Sequence, residues 1–247
     1  MSRGGPRPDR CPDCRLALSH CICALRPAVD SRAGFCLLMG SDEPFKPSNT
    51  GWLIADMVAN TFAFGWSRTA ADPALLALLA DPVWQPYIVF PGELLEPGRE
   101  LLAALPPGDL VLDDPQESVT IHASVRTLTF KSRRPLFILL DATWPEARKM
   151  FRKSPYLDCL PVLSLQTGQV PRYRLRQSNR VDHLCTAEVA ALCLAQAGDT
   201  FAAQTLEAYL DVFIYNYLQA KQQRPVNLED VAHLRLRKLL TMGASVL

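Results

Sequence analysis

The chain has 247 residues, 49% of them hydrophobic, with 26 Lys and Arg against 25 Asp and Glu, a net charge of +1. That length holds one α/β domain and a small appendage. No apolar run approaches the ~18–20 residues of a membrane span, and a near-neutral total excludes any argument from net charge alone.

The first residues are polar and arginine-bearing and lack the apolar core of a secretory signal, so a cytoplasmic location is expected. Cys11-Pro12-Asp13-Cys14 is then a C-x2-C pair, followed by the C-x-C pair Cys21-Ile22-Cys23. Four thiols so close together suit a tetrahedral zinc ion that closes a loop with no core of its own. Cys11, Cys14, Cys21 and Cys23 are the expected ligands of a structural Zn2+, with His20 able to replace one. An iron–sulfur cluster and a bare redox cluster are the rivals. Cys36, Cys159, Cys185 and Cys193 stand singly among apolar residues and read as buried hydrophobes in a reducing compartment.

Further along, strands are predicted at 35–39, 61–64, 87–90, 110–112, 136–140 and 160–165. Helical patterns lie between them at 50–60, 73–79 and 93–105, and Pro/Gly-rich loops at 91–98 and 106–115. Strands alternating with helices predict a mainly parallel sheet with right-handed crossovers. From Thr186 onward the pattern is helical, over 186–197, 200–223 and 228–240. The expected division is a cysteine knuckle over 1–30, a catalytic domain over 31–225 and a helical tail over 226–247.

Within this frame Asp141-Ala142-Thr143-Trp144 is the most informative segment. It follows the apolar run 136–140, which reads as a buried parallel strand, and precedes Pro145, which can open a helix. A carboxylate and a hydroxyl are thereby presented at the carboxyl end of a strand, where open α/β sheets bind ligands. The plain alternative is a helix cap and a core aromatic. Two more loops share this character. Lys46-Pro47-Ser48-Asn49-Thr50-Gly51 leads into a helix with three capping residues in a row, and free N–H groups there would bind carboxylate or phosphate. Thr186-Ala187-Glu188 opens another helix, with Thr186 expected to cap and Glu188 left free to accept from an ammonium. The lone histidines His122 and His183 read as structural.

From Arg126 to Arg180 there are twelve Lys or Arg against three acids, a local +9. A single-sign surface of this size reads as a face for nucleic-acid phosphates. Lys46, Arg148, Lys149, Arg152, Lys153, Arg174 and Arg176 are the expected RNA contacts.

Together these motifs resemble the DTW-domain family, in its bacterial tRNA-uridine aminocarboxypropyltransferase branch. The resemblance is carried by Asp141-x-Thr143-Trp144 with the Ala147-Arg148-Lys149 helix, the Ser48-Asn49-Thr50 loop, Tyr173-Arg174-Leu175-Arg176, Thr186-Ala187-Glu188 and the cysteine knuckle, over roughly residues 11–215. Ala142 stands where the family's glycine is expected. The resemblance implies a SPOUT-like α/β fold with a carboxyl-side knot. It also implies transfer of the 3-amino-3-carboxypropyl arm of S-adenosylmethionine to N3 of a tRNA uridine, with release of methylthioadenosine. Asp141 is then the candidate base and Thr143 its orienting partner. Ser48, Asn49, Thr50, Thr186 and Glu188 would clamp the amino-acid end, Phe90, Pro91, Leu160 and Pro161 would cradle the adenosine, and Trp144 would stack. An RNA methyltransferase of related fold and a non-catalytic zinc-knuckle RNA binder are the alternatives. The motifs mark no apolar patch for dimerisation.

Overall fold

The apolar runs on either side of Cys36 and Ile138 form the two strands at the centre of a sheet, and every other element packs relative to them. The computed structural model describes residues 9–95, 98–106, 133–165, 173, 175 and 184–244. Strand β1 is Gly34–Met39, β2 Thr61–Gly65, β3 Trp84–Val89, β4 Leu101–Leu102, β5 Arg134–Asp141 and β6 Val162–Leu163. They pair in parallel throughout, in the order β2-β1-β5-β3-β6-β4. The predicted mainly parallel α/β architecture is thus what the chain adopts.

Side-chain alternation along these strands sorts the core into two layers. Phe35, Leu37 and Met39 of β1, with Phe137 and Leu139 of β5, face a core shared with α1 (Gly51–Met57), α4 (Thr186–Gln196), α5 (Thr200–Lys221) and α6 (Val231–Ala244). Cys36, Leu38, Leu136 and Ile138 face the other way, onto α2 (Pro73–Ala80) and α3 (Trp144–Arg152). Both strands are buried on both faces, which is why they read as unbroken apolar runs. Phe137 has no solvent exposure, and its truncation to Ala would cost about 3–5 kcal/mol.

The cysteine knuckle shares the first core. Leu16 and Ile22 are fully buried in the same cluster as α1 and α5. Asn216 of α5 donates to the His20 carbonyl at 3.1 Å, and the His20 ring bonds the Arg224 carbonyl at 2.8 Å.

Two predicted elements differ. No helix spans 93–105: a single 3-10 turn at Gly92–Leu94 is followed by β4. Gly98 takes φ +98°, a left-handed conformation that interrupts the apparent helical period, and Leu101-Leu102 then pair with β6. Strand β6 is two residues long, because Leu160 still belongs to the turn donating to the Leu157 carbonyl. The strand predicted at 110–112 lies outside the described residues.

The chain leaves β1 towards β2 on one side and leaves β5 towards β6 on the other, with β1 and β5 adjacent. Their carboxyl ends therefore flank a topological switch point, the place where parallel sheets form a ligand crevice.

Candidate active site

Asp141 is the last residue of β5 and opposes Met39 of β1. Its parity with Phe137 and Leu139 turns the side chain to the α1/α4 layer, and only 3% of the residue is exposed. There Oδ2 accepts from Asn49 Nδ2 at 2.7 Å and Oδ1 accepts from the Thr186 hydroxyl at 2.6 Å. Gly51 makes the close approach possible, since a Cβ there would stand 2.5 Å from Oδ2. One carboxylate thus joins the end of β5 to the start of α1 and the start of α4.

The Ser48-Asn49-Thr50 loop is tied into the protein by these connections, Asn49 above all. Asn49 also donates to Glu43 Oε2 at 3.3 Å and accepts from the Trp52 N–H at 3.2 Å. The Thr50 hydroxyl accepts from the Ala187 N–H, and the Ser48 carbonyl from the Tyr173 hydroxyl. Glu43 is fully buried and pairs with the Lys46 ammonium at 2.5 Å. Lys46 therefore serves the loop and is not a free cation for phosphate.

At α4 the expected roles are exchanged. Cys185, not Thr186, caps the helix in a reciprocal capping box with Glu188. Glu188 Oε2 accepts from the Cys185 N–H at 2.7 Å and Oε1 from the Tyr173 N–H at 3.2 Å, so neither oxygen is left idle. Burial, and then the neighbouring Glu188 carboxylate, push the Cys185 thiol up, which keeps the cap neutral. Thr186, one position inside the helix, is thereby free to reach Asp141.

Across the sheet lies an acid that no motif singled out. Glu146, in the first turn of α3, rests its carboxylate on Gly40, where a Cβ would stand 2.6 Å from Oε1 and 2.8 Å from Oε2. Gly40 has the parity of Cys36 and Leu38, so its missing side chain is what leaves this room. Glu146 is half-buried and has no hydrogen bond or ion pair among the described residues. Its only signal in the sequence is an acid in the first helical turn after the Asp141 segment.

A wall of aromatic rings continues from α3. Phe90 stacks on Phe151 with centroids 4.2 Å apart, Trp144 lies 6.5 Å from Phe90, and the Arg99 guanidinium covers Phe151 at 4.5 Å. Trp144 is half-buried and Thr143 exposed, just beyond the carboxyl end of β5. Phe90-Pro91 does follow the carboxyl end of β3, but Leu160-Pro161 precedes β6 and lies at its opposite end. The Leu160 carbonyl is taken by Arg99. Ser164 occupies the place expected of them, its hydroxyl accepting from the Gly92 N–H at 3.0 Å.

The outer face of α3 carries the basic side chains. Ala147, Met150 and Phe151 are buried, which leaves Arg148, Lys149 and Arg152, with Lys153 just after, exposed. Lys149 Nζ stands 5.6 Å from the Trp66 ring. Arg174 and Arg176, like His122 and His183, lie outside the described residues.

A family model for the DTW domain matches residues 8–218. The chain belongs to the DTW-domain family. No solved structure matches it. Membership in DTW is consistent with a transferase that modifies tRNA, and among the described residues no helix is long and apolar enough to cross a membrane. The DTW segment here is Asp141-Ala142-Thr143-Trp144, and Ala142 in the family's glycine position is not among the positive-φ residues, so its methyl is accommodated without backbone strain.

The match begins before the knuckle, whose four thiols converge. Cys11 Sγ lies 3.5 Å from Cys23 Sγ and 3.6 Å from Cys21 Sγ, with Cys14 to Cys21 at 3.7 Å. Four sulfurs about 2.3 Å from a tetrahedral zinc stand about 3.8 Å apart, so the spacing fits a metal. It is far too long for disulfides, which need ~2.05 Å. Burial opposes ionisation of Cys11, but the backbone N–H groups of Cys14 and Asp13 and the thiols of Cys21 and Cys23 bring it to about 7. Burial raises Cys14 to about 11 and pushes Cys23 up as well.

Proposed function

We propose that this DTW protein transfers the 3-amino-3-carboxypropyl group of S-adenosylmethionine to N3 of a uridine in tRNA, in the cytoplasm, with structural zinc in the knuckle. The observation that carries the proposal is the Asp141 junction: one buried carboxylate gathers the Asn49 and Thr186 loops at the β1/β5 switch point, beside a helix that exposes Arg148, Lys149 and Arg152. A small donor would sit in the crevice while the polyanion lies across α3. A SPOUT-like topology with a carboxyl-side knot is the arrangement the family resemblance implies, and the all-parallel sheet is compatible with it.

In the reaction the uridine N3–H gives up its proton, N3 forms a bond to Cγ of the donor, and the Cγ–S bond breaks. Its electron pair returns to sulfur, and neutral methylthioadenosine leaves. The sulfonium offers three activated carbons, so selection of Cγ is a matter of orientation. The loops that Asp141 fixes supply that orientation around the amino-acid end, with Thr143 and Trp144 at the mouth.

The proton requires an acceptor within hydrogen-bond reach. Asp141 is buried with both oxygens engaged, which suits a positioning role better than the base role the sequence suggests. Glu146, half-buried and uncommitted over Gly40, is the carboxylate we assign to accept it. Because N3 lies on the Watson–Crick edge, the target uridine must be unpaired or flipped. Arg148, Lys149, Arg152 and Lys153 would hold the flanking phosphates, joined by Arg174 and Arg176.

The test uses donor labelled separately in the carboxypropyl chain and in the methyl group, with purified protein and unmodified tRNA. Chain label should enter the RNA while methyl label leaves in methylthioadenosine. Methyl label in the RNA would identify a methyltransferase, and label in neither product a passive RNA binder.

A further inference from the structure

Arg15 sits immediately after the second knuckle cysteine and takes φ +65°, one of two non-glycine residues in the left-handed region among those described. That conformation costs a side-chain-bearing residue about 1–2 kcal/mol, so something must hold it. Its N–H donates to the Cys11 carbonyl at 3.0 Å, closing the Cys11–Cys14 turn, and its carbonyl accepts from Arg10. The backbone thus belongs to the knuckle. The side chain does not: only 6% of the residue is exposed, and the guanidinium reaches the loop before α1. There Nη1 donates to the Lys46 carbonyl at 3.3 Å and Nη2 to the Asn49 carbonyl at 3.1 Å. Asn49 is the residue whose amide holds Asp141.

We propose that Arg15 is a positioning residue through which the cysteine knuckle sets the Asn49–Asp141 loop, so that a metal-closed knuckle is a condition for an ordered donor site. A planar fork can hold two carbonyls at once, which a lysine ammonium on a flexible stem cannot do with the same fixity. A buried guanidinium is tolerated only when hydrogen-bonded, so knuckle and loop are locked to each other. The knuckle has other anchors on the domain. Arg26 pairs with Asp56 of α1 at 3.6 Å, and Asn216 of α5 holds His20. Removing the guanidinium should therefore release the loop while leaving the knuckle docked.

The value of that link to catalysis rests on the proposed transferase reading, but the link itself is read without donor or tRNA. The experiment takes the full zinc-loaded chain as wild type, Arg15→Gly and Arg15→Asn, both of which tolerate φ +65°. Zinc stoichiometry and amide hydrogen exchange are measured for peptides covering 43–53 and 11–25. The expected result is unchanged zinc and unchanged exchange in 11–25, with exchange in 43–53 faster by about tenfold or more. Removal of zinc from the wild type should accelerate both segments. Variants that keep zinc and keep 43–53 protected overturn the proposal. Loss of zinc in both variants also overturns it, since Arg15 would then be holding the knuckle and not the loop. Failure of the wild type to bind adenosylmethionine would sink the transferase reading and leave the exchange result standing.

Discussion

At the scale of single residues, the site is a set of polar groups that occupy one another. Replacing Asp141 by Ala removes a partner from the buried Asn49 amide and from the half-buried Thr186 hydroxyl, so the chain should lose on the order of 2–4 kcal/mol in chemical denaturation. Adenosylmethionine affinity should fall with it, because the loops lose their common anchor. A variant with native stability and donor affinity would show that the junction is not what holds them. Glu146 behaves oppositely in this account. Glu146→Gln should preserve folding and donor binding and lower kcat by about 10²-fold or more, the usual range for a lost proton acceptor. Gly40→Ala makes the same point sterically. Its Cβ meets only the far end of a flexible side chain, so stability should change by less than about 1 kcal/mol while turnover drops. Asp141 was legible as the focus of the site because strand, acid and helix start follow one another in the sequence. Its commitment to Asn49 and Thr186 was not, since those residues lie 92 and 45 positions away. The exchange of roles between Thr186 and Cys185 has the same origin. Capping propensity ranks a threonine hydroxyl above a thiol, and only the nearby Asp141 carboxylate draws the hydroxyl elsewhere.

Among the elements, α3 and α6 make separate demands. On α3 the buried Ala147, Met150 and Phe151 fix which side faces out, so charge reversal at Lys149 changes an exposed side chain whose contact is with the partly buried Trp66 ring. Lys149→Glu should weaken tRNA binding by about 10-fold at low salt and flatten its salt dependence, with donor affinity unchanged. Equal loss of both affinities would place Lys149 in the donor pocket instead. On α6, His233 is 1% exposed and neither ring nitrogen has a hydrogen-bond partner among the described residues. Burial, working against the attraction of Asp230, lowers its pKa from the usual 6.5. Below 6.5 the unfolded chain then binds more protons than the folded one. Stability contributed by the neutral ring is full above that value and is lost as pH falls through it towards the lowered folded value. Denaturation midpoints should therefore decline as pH falls below about 6.5, and His233→Phe should flatten the decline. Strands β1, β2 and β5 and helices α2, α4 and α5 were readable because their periods are unbroken and their ends carry Gly, Pro or caps. The helix expected over 93–105 failed where Gly98 turns left-handed, a choice that tertiary pairing of Leu101-Leu102 with β6 rewards.

At the scale of the whole molecule, the proposed link runs from the cysteine knuckle through Arg15 to the Asn49–Asp141 loop. The four cysteines were plain in the sequence because metal ligands obey short spacing rules. What the knuckle supports was not, since the fork of Arg15 reaches 31 and 34 residues along the chain. Chelation of the metal should therefore lower donor affinity as well as thermal stability, and restored zinc should recover both. If chelation left donor affinity intact, the knuckle would be an independent module.

Nucleoside mass spectrometry of tRNA identifies the group transferred. Bulk tRNA from cells lacking the protein would be compared with the same tRNA after incubation with purified protein and adenosylmethionine. A uridine carrying the aminocarboxypropyl mass should be absent from the first sample and present in the second. Glu146→Gln should restore little of it. A uridine that gains only a methyl mass, or tRNA unchanged by the active protein, would overturn the assignment of aminocarboxypropyl transfer.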